Sequence, residues 1–141
     1  MKTNVKKEYK LLNVGVLGCG IICQAAHLIG STKARNVHLY AICDVAQDLL
    51  QKMAAIYDPD VTYTDFARML ADPKVDAVII GIGDQFHVPC ARQAILAGKH
   101  VLLEKPMGVS LEECEELKNL AEEKGLVLQI GHMKRFDEGL Q

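Results

Sequence analysis

At 141 residues the chain is the size of one domain and long enough to enclose a core. Half of its residues are apolar and 24% are charged, the balance of a soluble globular protein, and a formal net charge of −2 provides no basic field for nucleic acid. No apolar run approaches the roughly 18–20 residues of a membrane span, and Met1-Lys2-Thr3-Asn4 leads into no signal-peptide core, so no membrane partner and a cytoplasmic location are expected.

Lys6-Lys7 reads as part of a frayed, solvated end. The run Leu11-Leu12-Asn13-Val14-Gly15-Val16-Leu17 is short enough for a buried strand and meets Gly18 and Gly20, after which a helical pattern starts at once. Ile21, Ile22, Ala25, Ala26 and Ile29 keep helical spacing, with Gly30-Ser31 as the stop. Val37 to Cys43 is a second strand ending in Asp44. A helix from about Ala46 to Ile56 is stopped by Asp58-Pro59, and Val61-Thr62-Tyr63 is a short third strand. Thr64 or Asp65 can cap a brief helix through Leu70. Val75 to Ile80 is a nearly continuous apolar run suited to the middle of a parallel sheet. A loop then leads into a helix from His87 to Leu96, with Pro89 tolerated in its first turn and Gly98 at its end. His100 to Leu103 is a fifth strand. Ser110 and Glu113 make a capping box for a helix reaching Lys124, and Leu126 to Ile130 is the sixth strand. Strands alternating with helices predict an α/β fold, a doubly wound (Rossmann) parallel sheet of about six strands in the order 3-2-1-4-5-6.

The turn after the first strand matches a dinucleotide fingerprint, with Cys23 in the third glycine position. Gly18 allows a tight turn, Gly20 lets a diphosphate approach the backbone, and the first amides of the helix face the phosphates. Asp44 lies 21 positions beyond Cys23, where an acid receives the ribose hydroxyls; it can equally serve as a turn-forming or capping residue. Its charge repels a 2′-phosphate and Val45 and Ala46 supply no cation, which favours NAD over NADP. Ligands of such sheets lie beyond the carboxyl ends of the strands, so loops 81–87 and 104–109 face the same crevice. Lys105 is placed there to donate to a substrate oxygen and move its proton. A cis Lys105–Pro106 bond is one option for fixing that loop. His87 either contacts the nicotinamide end or caps its own helix. His27, His38 and His100 read as packed or surface histidines. The five cysteines are odd in number, lack C-x-x-C spacing and read as reduced, packed thiols, with no metal site.

Gly18-Cys19-Gly20-Ile21-Ile22, His27, Ala41-Ile42-Cys43-Asp44, Val75-Asp76-Ala77-Val78, His87, Ala97-Gly98-Lys99-His100-Val101 and above all Glu104-Lys105-Pro106 resemble the glucose–fructose oxidoreductase/inositol dehydrogenase (Gfo/Idh/MocA) family, over about 13–136. The resemblance implies NAD- or NADP-dependent oxidation or reduction of hydroxyl and carbonyl carbons of sugars, inositols and related molecules. It implies that Lys105 is the catalytic or substrate-orienting lysine, that Gly18, Gly20, Ile21, Ile22, Asp44, Gly81 and Glu104 bind the cofactor, and that His87 and Pro106 line its nicotinamide side. Gly81-Ile82-Gly83-Asp84-Gln85 departs from the family's usual Thr-Pro-Asn-like run. The resemblance also implies a dinucleotide-binding domain over 1–130, with 131–141 starting the connection to a C-terminal substrate domain absent here. A homo-oligomer is expected for a full-length protein, and this chain by itself is expected to bind NAD weakly and turn over nothing. The same family resemblance leaves two other readings: a non-catalytic NAD sensor or co-repressor, and a glycosidase or lyase that retains its cofactor.

Overall fold

Parallel strands buried on both faces need long crossovers, and each crossover here is a helix. The computed structural model describes residues 10–140; Lys6 and Lys7 lie outside the described residues. β1 (Leu12–Leu17), β2 (Val37–Cys43), β3 (Val61–Tyr63), β4 (Ala77–Ile80), β5 (His100–Leu103) and β6 (Leu128–Ile130) form one parallel sheet in the order β3-β2-β1-β4-β5-β6. This is the doubly wound order expected.

A π-helical turn over Cys23–His27 leads into α1 (Leu28–Lys33), and α2 (Gln47–Tyr57) follows β2. Both pack on one face through Cys23, Leu28, Leu50 and Met53 against Val14, Val16, Leu39 and Ile42. α3 (Phe66–Ala71), α4 (His87–Leu96) and α5 (Leu111–Glu123) cover the other face, where Met69, Ala91, Ile95 and Leu117 meet Val78, Ile80, Val101 and Leu103. A one-residue irregularity between Val14 and Gly15 shifts the β1–β2 register, and Met69 fills the space opened by Gly15.

Several boundaries differ from the sequence pattern, and three of them have a clear local reason. The first helix passes through Gly30-Ser31 to Lys33, because Gly30 needs no left-handed backbone and the Thr32 hydroxyl donates back to the Ile29 carbonyl at 2.8 Å. β4 starts at Ala77, since the Asp76 carboxylate takes the Asn13 N–H at 2.9 Å in place of a ladder bond. β6 starts at Leu128, because the Leu126 N–H closes α5 on the Ala121 carbonyl and the Val127 N–H goes to Nδ1 of His100. Ser110 caps α5 through the Glu113 N–H as a capping box requires, but the Glu113 carboxylate reaches the Val109 N–H. Asp65, not Thr64, caps α3.

Below the sheet Asp72 ties three elements together. Its Oδ2 accepts from the hydroxyls of Tyr40 (2.8 Å) and Tyr63 (2.7 Å), and its Oδ1 from the Lys74 N–H. The Lys74 amide and then the Tyr63 hydroxyl hold the Asp72 carboxyl below its usual range. The same bond to Asp72, with burial adding to it, pushes the Tyr63 hydroxyl up to about 12. The buried Lys99 ammonium donates to the carbonyls of Asp72 (2.9 Å) and Val75 (2.7 Å).

Lys99→Met leaves two carbonyls without their donor and is expected to cost about 3 kcal/mol, read as a lower urea midpoint at unchanged slope. A tyrosine whose folded-state pKa is raised stabilises the fold fully below its unfolded value, and that contribution is lost as pH rises toward the folded value. Stability is therefore expected to fall between about pH 10 and pH 12, and Tyr63→Phe to flatten that alkaline fall in urea titrations.

Candidate functional site

β1 and β4 are neighbours, and the crevice opens where their carboxyl ends part. Gly18 leaves β1 with φ +102°, a backbone that side chains disfavour, and a Cβ there would lie 2.4 Å from the Gly81 carbonyl oxygen. Its N–H donates to the Cys43 carbonyl at 2.8 Å, while the Gly81 N–H donates to the Leu17 carbonyl at 3.0 Å. The turn is thereby fastened to β2 on one side and β4 on the other. Gly20 is different: a Cβ built there meets nothing within 4 Å, so it faces open space. Cys23 packs where the third glycine of the fingerprint stands, its thiol 3.4 Å from the Gly81 carbonyl. Burial pushes the thiols of Cys23 and Cys43 up to about 12 and that of Cys19 to about 11, in keeping with cysteines that pack as small apolar groups.

A groove of about 680 Å³ follows the turn, lined by Gly18, Gly20, Ile21, Ile22, Asp44 and Gly81, with Val45, Phe66, Ile82 and Phe86 among its apolar walls. The amides at the start of the helix have no carbonyl one turn back to receive them. Gln24 steadies the turn by donating from its side-chain amide to the Cys19 carbonyl at 2.7 Å. Asp44 has the turn-forming use expected of it and a second contact across the groove. Its Oδ1 accepts the Ala46 N–H at 2.8 Å, a local turn ahead of α2, and its Oδ2 accepts the Cys19 N–H at 2.7 Å across the groove.

The remaining site residues lie on the neighbouring loops. The Lys105–Pro106 peptide is cis. Lys105 and Pro106 are exposed, and the Lys105 ammonium makes no hydrogen bond or ion pair with any described residue. Glu104 is half-buried at the end of β5, its N–H donating to the Ile80 carbonyl at 3.0 Å. His87 neither caps its own helix nor lines the groove. It is 1% exposed, with Nε2 3.0 Å from the Ile82 carbonyl and Nδ1 2.6 Å from the Pro106 carbonyl, and so joins the two crevice loops from beneath. His27, read from the sequence as merely packed or exposed, meets Glu104: its Nε2 is 2.7 Å from Oε1. No local signal marks that pair, since its members stand 77 positions apart. Among the described residues no group of three or more His, Cys, Asp or Glu is placed to hold a metal ion, and no helix is long and apolar enough to cross a membrane.

A six-stranded parallel sheet in this order, with a glycine turn after its first strand and an acid after its second, defines a dinucleotide-binding doubly wound domain. The chain belongs to the Gfo/Idh/MocA oxidoreductase family, whose NAD-binding Rossmann-fold model matches residues 12–132. It is 36% identical over 128 residues to 1-carboxy-3-chloro-3,4-dihydroxycyclo hexa-1,5-diene dehydrogenase of Comamonas testosteroni, covering 89% of this chain and 32% of that one. It superposes with a TM-score of 0.84, at 30% identity, on scyllo-inositol dehydrogenase of Lactobacillus casei with bound NAD(H) and scyllo-inositol, covering 92% of this chain and 38% of that one. The same TM-score of 0.84, at 27% identity, relates it to a 3-ketoreductase of Actinomadura kijaniata in complex with TDP-benzene and NADP, covering 88% of this chain and 38% of that one. The chain thus spans about a third of the length of the relatives it matches.

The two turn glycines separate cleanly by mutation. Gly18→Ala meets both a left-handed backbone and the Gly81 carbonyl and is expected to lose about 3 kcal/mol of stability, whereas Gly20→Ala should stay within about 0.5 kcal/mol of wild type in urea denaturation.

Proposed function

We propose that this chain is the NAD-binding part of an oxidoreductase that transfers a hydride between the nicotinamide ring and a CH–OH carbon of a sugar, inositol or related polyol. The observation that carries the reading is the groove beside Gly20, open where a diphosphate needs backbone contact and bordered by the Asp44 carboxylate. A dinucleotide fits these residues. Gly18 and Gly20 keep side chains out of the way of the diphosphate, and the amides around Ile21 and Ile22 receive its charge at the positive end of the helix. Each Asp44 oxygen accepts one protein N–H and retains a lone pair for a ribose hydroxyl. NAD is preferred to NADP because that carboxylate repels a 2′-phosphate and the exposed Val45 beside it offers no counter-charge.

The nicotinamide end of this arrangement lies toward Gly81 and the Glu104–Pro106 loop. The bound cofactor supplies the redox chemistry. Lys105 is the residue that handles the substrate proton: its ammonium, without a partner among the described residues, donates to the substrate oxygen in reduction and its amine takes the hydroxyl proton in oxidation. Pro106 and Glu104 shape the loop that presents it, and His87 supports that loop from below. The bound scyllo-inositol of the Lactobacillus casei dehydrogenase supports the polyol class of substrate. The lysine favours an enzyme over a sensor, which has no use for a proton-transferring group at that place.

Titration calorimetry tests the reading. The chain is expected to bind NAD and NADH, and to prefer NAD to NADP by about tenfold. Asp44→Ala should erase that preference. Gly20→Ala, folded as well as wild type, should weaken NAD by about tenfold or more because its methyl group enters the groove. Absence of heat with both NAD and NADH would overturn the proposal.

A further inference from the structure

We infer that His27 is a positioning residue, tying the Glu104-Lys105-Pro106 segment to the helix that the glycine turn begins; its consequence for nicotinamide binding presupposes the dinucleotide reading of the groove. The turn over Cys23–His27 is π-helical, and the Leu28 N–H bonds back five residues to the Cys23 carbonyl. Such a turn takes in one residue more than an α-helical turn and re-aims the side chain at its end. That side chain is His27, which crosses to the end of β5 and places Nε2 2.7 Å from Oε1 of Glu104.

The Glu104 carboxylate is held on every side. The two paired side chains are only 13% and 14% exposed, so the carboxylate has lost most of its water and depends on protein donors. Oε1 accepts from His27, and Oε2 accepts from the Lys105 N–H at 3.2 Å. Behind it Gly131 stands so close that a Cβ there would lie 3.1 Å from Oε1. The carboxylate can therefore relax only if the His27 bond breaks, and the Lys105 peptide then loses its acceptor. On the other side of Lys105 the Pro106 carbonyl is fixed by His87 at 2.6 Å. Two histidines from two helices thus set the backbone of a lysine whose own side chain is left free. Only one of these helices, that of His27, also carries the amides that face the diphosphate. The amides beside the groove and the loop that carries Lys105 are accordingly tied to one helix.

Two measurements on the full chain test this. By NMR, His27→Ala is expected to speed hydrogen exchange of the Lys105 amide about tenfold relative to the Val101 amide, while His27→Gln, which keeps an N–H donor for Glu104, retains most of the protection. By calorimetry, His27→Ala should leave ADP-ribose, which lacks nicotinamide, within about twofold of wild type and weaken NADH by about tenfold, with His27→Gln recovering most of the loss. Unchanged Lys105 exchange in His27→Ala overturns the assignment. Equal losses for ADP-ribose and NADH also overturn it, since they mark a general defect of the helix. If His27→Ala does not fold, His27→Leu keeps side-chain bulk while removing the bond to Glu104, and its Lys105 exchange decides the point. If the wild-type chain binds neither ligand, the nucleotide reading fails, and the exchange result alone judges His27.

Discussion

Two absent side chains hold the crevice end of the sheet together. A Cβ on Gly18 would lie 2.4 Å from the Gly81 carbonyl oxygen, and one on Gly81 would lie 2.5 Å from the Cys23 thiol. The glycine turn, the loop after β4 and the first helix are therefore stacked at distances that only hydrogen atoms permit. That stacking puts the helix start beside the end of β4, and the groove is the space left between them. It also explains why cysteine is acceptable where the fingerprint has a third glycine. The thiol occupies the place a side chain on Gly81 would take, so bulk on the helix is matched by bareness on the loop.

The Asp44 carboxylate turns this stacked junction into a prepared site. One oxygen fixes it to its own chain at Ala46 and the other draws in the Cys19 amide of the glycine turn. A carboxylate free to swing must be ordered when a ligand arrives, whereas this one is already ordered, and less of the binding free energy is spent on it. The bond also links the ends of β1 and β2 independently of the sheet ladder. Turn and acid are therefore tied to each other, as the proposed joint contact with a diphosphate and a ribose requires.

The fold was legible because its signals are local. Apolar runs bounded by Gly, Pro and Asp marked every strand, six of them alternating with helices matched the doubly wound order, and β2, β3, α4 and β5 have the expected ends. At the starts of β4 and β6 a side chain had replaced a backbone partner, Asp76 for Asn13 and His100 for Val127, and no periodicity records such exchanges. The first half of the site was legible for the same reason: Gly18, Gly20 and Asp44 are defined by their distance from a strand end. The second half was not. His87 gives the same local signal whether it faces a ligand or, as here, two carbonyls. The His27–Glu104 pair depends on a π-helical turn, which shifts the helical face by one residue and so defeats any estimate based on a period of 3.6.

Around the Glu104–Pro106 loop, polar satisfaction becomes selective. Every buried side-chain nitrogen and oxygen among the described residues has a hydrogen-bond partner, and beneath the loop Nε2 of His27 and both ring nitrogens of His87 are engaged. Lys105 has none. A buried ammonium can be made structural, and Lys99 shows how: two carbonyls enclose it below the sheet. Above the sheet the same residue type is presented on a loop whose Pro106 carbonyl and Glu104 carboxylate are already engaged. The two lysines mark the two ends of the sheet by what surrounds them. One end closes the core. The other carries Lys105, exposed and with no side-chain partner among the described residues.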